Sequence, residues 1–93
     1  MGVLVRLTGA PGLTAQQYDA AMPRIEASGE FPPAGLDFHV AFSSGGSFRV
    51  SEIWDDEEHF EAFGARLMPI LAESGIELAG PPEIIEIHNV IKP

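Results

Sequence analysis

Glu52 is the one carboxylate in an otherwise apolar alternation. It lies in FRVSEIW, residues 48–54, on the parity of Val50 and Trp54. Side chains alternate between the two faces of a strand, so Glu52 is expected on the apolar face. A buried polar residue is more informative than an exposed apolar one. Burial disfavours the charged form of a carboxylate, which suits general acid or base work. Two acid-x-His pairs add imidazoles, Asp37-Phe38-His39 and Glu86-Ile87-His88. Residues i and i+2 of a strand share a face about 7 Å apart, so a carboxylate can lean toward an imidazole. Glu52, His39 and His88 are therefore the candidate catalytic residues. Tyr18, Trp54, Phe60, Phe63 and Asn89 are candidate ligand contacts. Each has a plainer reading. Glu52 could be hydrogen-bonded to Tyr18 or to a helix N-terminus without chemistry. The acid-x-His pairs could be edge polarity that discourages aggregation. Held together across a dimer they could bind a divalent metal, but the tight ligand spacing of an H-x-x-x-H motif is missing, and no metal is expected.

The elements that must position these residues follow from the pattern. VLVRLT (3–8) is β-rich and reads as a strand. Thr14 is an N-cap and Gln17 completes a capping box, with Tyr18, Ala21, Met22 and Ile25 on one helical face. Ser28-Gly29 ends that helix, and FPPAG connects it onward. LDFHVAF (36–42) alternates strictly, SSGGS is a hairpin turn, and FRVSEIW alternates again. Asp55 is expected to cap the second helix, with Glu58 at its capping-box position and acids in the first turn where the helix dipole favours them. Phe60, Phe63, Leu67, Ile70 and Leu71 form its apolar stripe. IIEIHNVI (84–91) is the last strand. His59 is expected at the surface. MPRIEASG (22–29) and MPILAESG (68–75) form a weak repeat late in the two helices, and proline there removes a backbone donor, so each helix should kink.

The order β-α-β-β-α-β is that of a ferredoxin-like α+β fold. Strand parity assigns Val3, Val5, Leu7, Leu36, Phe38, Val40, Phe42, Phe48, Val50, Trp54, Ile85, Ile87 and Ile91 to the helix-covered face, with Glu52 and Asn89 as the polar exceptions. The other face, with Leu4, Arg6, His39, Ile53, Ile84, His88 and Val90, is mixed and suits a partner sheet. Taking the first and third strands as parallel neighbours, Glu52, Trp54, Tyr18 and Phe60 crowd one end of the layer between sheet and helices. Asn89 lies near the other end.

With 93 residues, one domain over 1–93 is expected, and a domain so small often gains stability from a partner subunit. Net charge is −9 with five scattered Lys and Arg. Phosphate-rich partners need clustered basic residues, so neither nucleic acid nor an anionic membrane is expected. The absence of cysteine excludes disulfides and thiolate chemistry and fits a reducing cytoplasm. The apolar run Val3–Val5, broken by Arg6, is too short for a signal peptide or a membrane span. No phosphate-cradling glycine motif and no nucleophile elbow occur, and no cofactor is expected.

Strand order, length and SEIWDDEEHFEAF together resemble the dimeric α+β barrel superfamily, which includes the antibiotic-biosynthesis-monooxygenase-like proteins. The third strand of those proteins ends in a Trp, followed by a cap and a helix with aromatics, as at Trp54, Asp55, Phe60 and Phe63. His39-Val40-Ala41 with Gly45-Gly46, and His88-Asn89, resemble small actinobacterial-type members. The resemblance covers nearly the whole chain. It implies a homodimer of ferredoxin-like protomers, each with a pocket between sheet and helices for a small apolar or aromatic molecule. The activities it implies include cofactor-free oxygenation and isomerisation or cyclisation; the alternative is a ligand-binding or stress-related module without chemistry. The haem-degrading branch has an Asn in the first strand and a His in the second helix. Here VLVRLT has no Asn and Gly64 stands at the corresponding place, so haem degradation is not implied.

Overall fold

The computed structural model describes residues 2–93. Its elements are β1 (Val3–Thr8), α1 (Ala15–Ala27), β2 (Leu36–Ser44), β3 (Ser47–Trp54), α2 (Glu57–Glu73) and β4 (Glu83–Glu86). The sheet order is β2-β3-β1-β4, and all three neighbouring pairs are antiparallel. This is the ferredoxin-like α+β fold. The expected parallel pairing of β1 with β3 is corrected: Val3 pairs with Trp54 and Thr8 with Arg49. The two halves of the chain interleave, so a strand of one half inserts beside a strand of the other and runs against it.

Local chemistry explains most boundaries. Thr14 and Gln17 form the capping box of α1: the Gln17 N–H donates to Thr14 Oγ1 at 3.2 Å and the Thr14 N–H to Gln17 Oε1 at 3.0 Å. Gly45 and Gly46 both have positive φ, 60° and 79°, as a two-residue hairpin turn between Ser44 and Ser47 requires. Both helices run on through their prolines, Pro23 and Pro69. The cap of α2 is Asp56, one residue later than expected, with its Oδ1 accepting the His59 N–H at 2.8 Å. The reason is that the Asp55 N–H donates to Gly35 O at 2.8 Å, which holds Asp55 in the strand exit. Gly35 itself has φ +86°, and a Cβ there would meet the His59 ring at 2.5 Å.

The core consists of Val5, Leu7, Ala21, Ile25, Trp54, Phe60, Phe63, Leu67 and Ile76. Trp54 is fully buried, its ring 5.8 Å from Phe60 and 5.7 Å from Phe63. Burying a large aromatic contributes on the order of 2–3 kcal/mol, so this cluster anchors α2 to β3.

Two strands depart from the expected parity. In β2, Leu36 pairs with Trp54 but Phe38 pairs with Ile53, so Asp37 is an extra residue. A bulge of this kind reverses the faces beyond it. His39, Ala41 and Ser43 then share the helix side with Glu52, Val50 and Phe48, while Phe38, Val40 and Phe42 turn to the open side. Val40 is 54% exposed and Phe38 44%. β4 covers only Glu83–Glu86, not 84–91, and pairs Ile84 with Val5 and Ile85 with Leu4. Ile84 therefore faces the helices and Ile85 the open side, the reverse of the expected parity. After the Ile87 N–H donates to Gly2 O at 3.2 Å, the described neighbour of β4 runs out, and residues 88–91 lie outside any strand.

Candidate functional site

The bulge at Asp37 assembles the site. By turning His39 toward the helices, it sets the imidazole opposite Glu52 on the β2–β3 ladder. His39 Nδ1 lies 2.6 Å from Glu52 Oε2, and His39 Nε2 lies 2.6 Å from the Tyr18 hydroxyl. The other oxygen of Glu52, Oε1, accepts the indole N–H of Trp54 at 3.0 Å. Four side chains from α1, β2 and β3 thus form one continuous hydrogen-bonded chain, Tyr18–His39–Glu52–Trp54.

The protonation of this chain follows from its inner end. An ionised carboxylate only accepts hydrogen bonds, and Glu52 accepts at both oxygens. His39 Nδ1 must then carry the proton it shares with Oε2. In the neutral imidazole, Nε2 is left as the acceptor and the Tyr18 O–H donates to it. Glu52 is 4% exposed, so its two partners replace the water it has lost. Burial, then the negative charge of Glu52, then that of Asp19, raise the Tyr18 phenol above its ordinary value of 10.0.

Tyr18, His39 and Glu52 stand on the wall of a cavity of about 90 Å³ between the sheet and the helices. The rest of the wall is hydrophobic, with Leu7, Ile25, Val50, Phe63 and Leu67 among its residues. Phe31, 39% exposed, also lines it and marks its rim. The Tyr18 ring is held by Phe48, 5.2 Å away, and lies nearly parallel to the His39 ring at 6.0 Å.

Of the residues singled out in the sequence, Glu52, His39 and Tyr18 meet, and Phe63 lines the same cavity. Trp54 and Phe60 stand behind that wall, Trp54 touching the site through its N–H to Glu52. His88 and Asn89 do not join it: both are exposed and follow β4, at the far edge of the sheet from His39. The expected pairing of Asp37 with His39 is also corrected. The bulge separates them, and the Asp37 carboxyl instead shares a hydrogen bond with Asp55, which with burial and the Asp55 charge raises its pKa despite Lys92. His59 is at the surface, its Nδ1 2.8 Å from Asp56 Oδ1. Among the described residues, no three His, Asp or Glu side chains converge as a metal-holding group, and no helix is long and apolar enough to cross a membrane. Leu13, Phe31, Ile76 and Leu78 line the cavity without having been singled out; their type gives no sign of it, because lining and core residues are the same kind of side chain.

No protein-family model and no curated protein matches the chain. Solved structures do. A point-mutant form of SnoaB, a cofactor-independent oxygenase from Streptomyces nogalater, superposes with a TM-score of 0.70 at 12% identity, over 99% of this chain and 98% of that one. NE2512, a protein of unknown function from Nitrosomonas europaea, gives 0.55 at 26% identity, over 99% and 92%. A candidate antibiotic biosynthesis monooxygenase from Caulobacter crescentus CB15 gives 0.59 at 20% identity, over 97% and 89%. The chain has the ferredoxin-like fold of the antibiotic-biosynthesis-monooxygenase-like proteins. At these identities the likeness is one of fold, and fold alone does not carry an activity.

Proposed function

We propose that the protein takes a small apolar or aromatic molecule into the cavity and acts on it by proton transfer through Tyr18, His39 and Glu52. The observation that carries this reading is the junction of the Tyr18–His39–Glu52 chain with an otherwise hydrophobic cavity. An acid-base group works best where water is scarce and its partners are fixed. Tyr18 meets the ligand, His39 takes and returns the proton, Glu52 stabilises the imidazolium, and the Trp54 N–H holds Glu52 in place.

Cofactor-free oxygenation is the first reaction class, and isomerisation or cyclisation the second. In the oxygenation, removal of a proton from an activated ring CH2 leaves a carbanion that gives its electrons to dioxygen. The CH2 becomes C=O and the second oxygen atom leaves as water, so CH2 and O2 balance C=O and H2O. Isomerisation needs only that the proton be returned at another carbon. SnoaB, a cofactor-independent oxygenase of the same fold, supports the first class. The protein acts as a cytoplasmic homodimer, with Leu4, Phe38, Val40, Phe42, Ile53 and Ile85 of the open sheet face covered by a second copy. A non-enzymatic, stress-related ligand carrier is the second reading, favoured by the scarcity of polar groups on the cavity wall.

The test is native mass spectrometry of the purified protein for a retained small molecule, followed by oxygen uptake and product analysis with one- and two-ring enols and phenols. Turnover that His39→Gln lowers at least tenfold supports the enzyme. Binding without turnover supports the carrier. Neither binding nor turnover contradicts both.

A further inference from the structure

The hydrogen-bond chain has a direction, and the direction reaches the cavity. Glu52, accepting from the Trp54 indole at Oε1, has Oε2 for His39 Nδ1–H. His39 Nε2 is thereby an acceptor, and the single Tyr18 hydroxyl hydrogen is committed to it at 2.6 Å. A phenolic oxygen has one hydrogen to give and lone pairs to receive. What Tyr18 has left for a ligand is therefore an acceptor only. His39 has its two nitrogens engaged and Glu52 its two oxygens.

Resting on the reading of this cavity as a ligand site, we infer that the site selects its ligand by hydrogen-bond polarity: it takes a neutral molecule that donates an O–H to the Tyr18 oxygen and rejects the ether or ketone counterpart that can only accept. Trp54 and Glu52 fix that polarity from behind the cavity wall, as positioning residues. A ligand that offers only an acceptor sets a lone pair against a lone pair in a site with little water to relieve it. Sites that hydrogen-bond a ligand group reject analogues lacking it far more strongly than apolar pockets reject a change of one methylene. An anion is disfavoured as well, because Glu52 is close by and the chain's net charge is −9.

The same direction gives the proton a route. The ligand O–H moves to the Tyr18 oxygen as the Tyr18 proton moves to His39 Nε2. The products are a ligand oxyanion, a tyrosine now donating to that oxyanion, and an imidazolium paired with Glu52. One proton enters the chain and one is passed on, so Tyr18 is neutral before and after. The cavity volume bounds the size of the buried part. About 90 Å³ is below the ~150 Å³ of an engineered apolar cavity that holds benzene, so one ring fills it and a larger ligand extends past Phe31.

Paired probes test this: 4-nitrophenol, which donates, and 4-nitroanisole, its methyl ether, measured by equilibrium dialysis below the pH at which free nitrophenol ionises. The wild type is expected to bind the phenol at least tenfold more tightly than the ether. In Tyr18→Phe, which keeps the ring on Phe48 and removes the oxygen, the two are expected to bind within about threefold of each other. Circular dichroism of the variant confirms that it is folded. If the wild type binds both probes equally, or the variant keeps the wild-type preference, the polarity inference is wrong while the cavity remains a ligand site. If neither probe binds and the cavity retains no other small molecule, the ligand-site reading itself falls, and the inference with it.

Discussion

His39 faces Glu52 across the β2–β3 ladder, Nδ1 to Oε2 at 2.6 Å, only because Asp37 is an extra residue in β2. Without that residue the imidazole would point to the open side of the sheet and the carboxylate would have no partner but Trp54. Deleting Asp37 is expected to uncouple His39 from Tyr18 and Glu52. It would also turn Phe38, Val40 and Phe42 inward. Loss of cooperative melting, or of the His39–Glu52 contact in a folded variant, is the expected result.

Glu52→Gln separates a site from a scaffold. From the sequence alone this change should leave the protein at least as stable at neutral pH. The geometry reverses that expectation, because both oxygens accept hydrogen bonds and an amide offers only one acceptor atom. Leaving one buried partner unsatisfied costs about 1–3 kcal/mol, so urea denaturation at neutral pH should show a loss of that order. Tyr18→Phe, at a half-buried position, should cost no more than about 1.5 kcal/mol and yet abolish turnover. Equal stability losses in the two variants would count against this division of roles.

Tyr18 is the sole tyrosine of the chain, so its ionisation can be followed directly by tyrosinate absorbance. The midpoint is expected above 10.0, because burial and then the charges of Glu52 and Asp19 oppose the tyrosinate. The folded state holds this proton more tightly than the unfolded state. The resulting stability is fully present below the unfolded value and is lost as pH rises through the folded one. Glu52→Gln should move the midpoint down. A midpoint that stays put would remove Glu52 as a source of the shift.

The open sheet face leads to an assembly prediction. Leu4, Phe38, Val40, Phe42, Ile53 and Ile85 share that face by the pairing registers, and contiguous apolar patches mark interfaces. Sedimentation is expected to give a dimer, and Val40→Asp to shift it toward monomer. A wild-type monomer mass at every concentration would contradict this.

Much of this fold was legible in the sequence because its signals are local. The Thr14 capping box, the Gly45-Gly46 turn and the alternation of FRVSEIW each need only a few neighbouring residues. Glu52 was legible for the same reason, as a polar residue on an apolar parity. Its partner was not. LDFHVAF alternates without interruption, so nothing in it announces a bulge, and parity assigned His39 to the wrong face. The antiparallel pairing of β1 with β3 and the short β4 are settled by contacts between distant segments. The same holds for His88 and Asn89, whose strand-like sequence extends past the described residues it could pair with.

The most direct measurement is the tautomer of His39, read by nitrogen-15 NMR of the imidazole and assigned with His39→Gln. A hydrogen on Nδ1, with Nε2 accepting from Tyr18, is the expected result, and Glu52→Gln should abolish that preference. A hydrogen on Nε2 of the neutral ring, or a tautomer indifferent to Glu52→Gln, would contradict a proton path from the cavity through Tyr18 and His39 to Glu52.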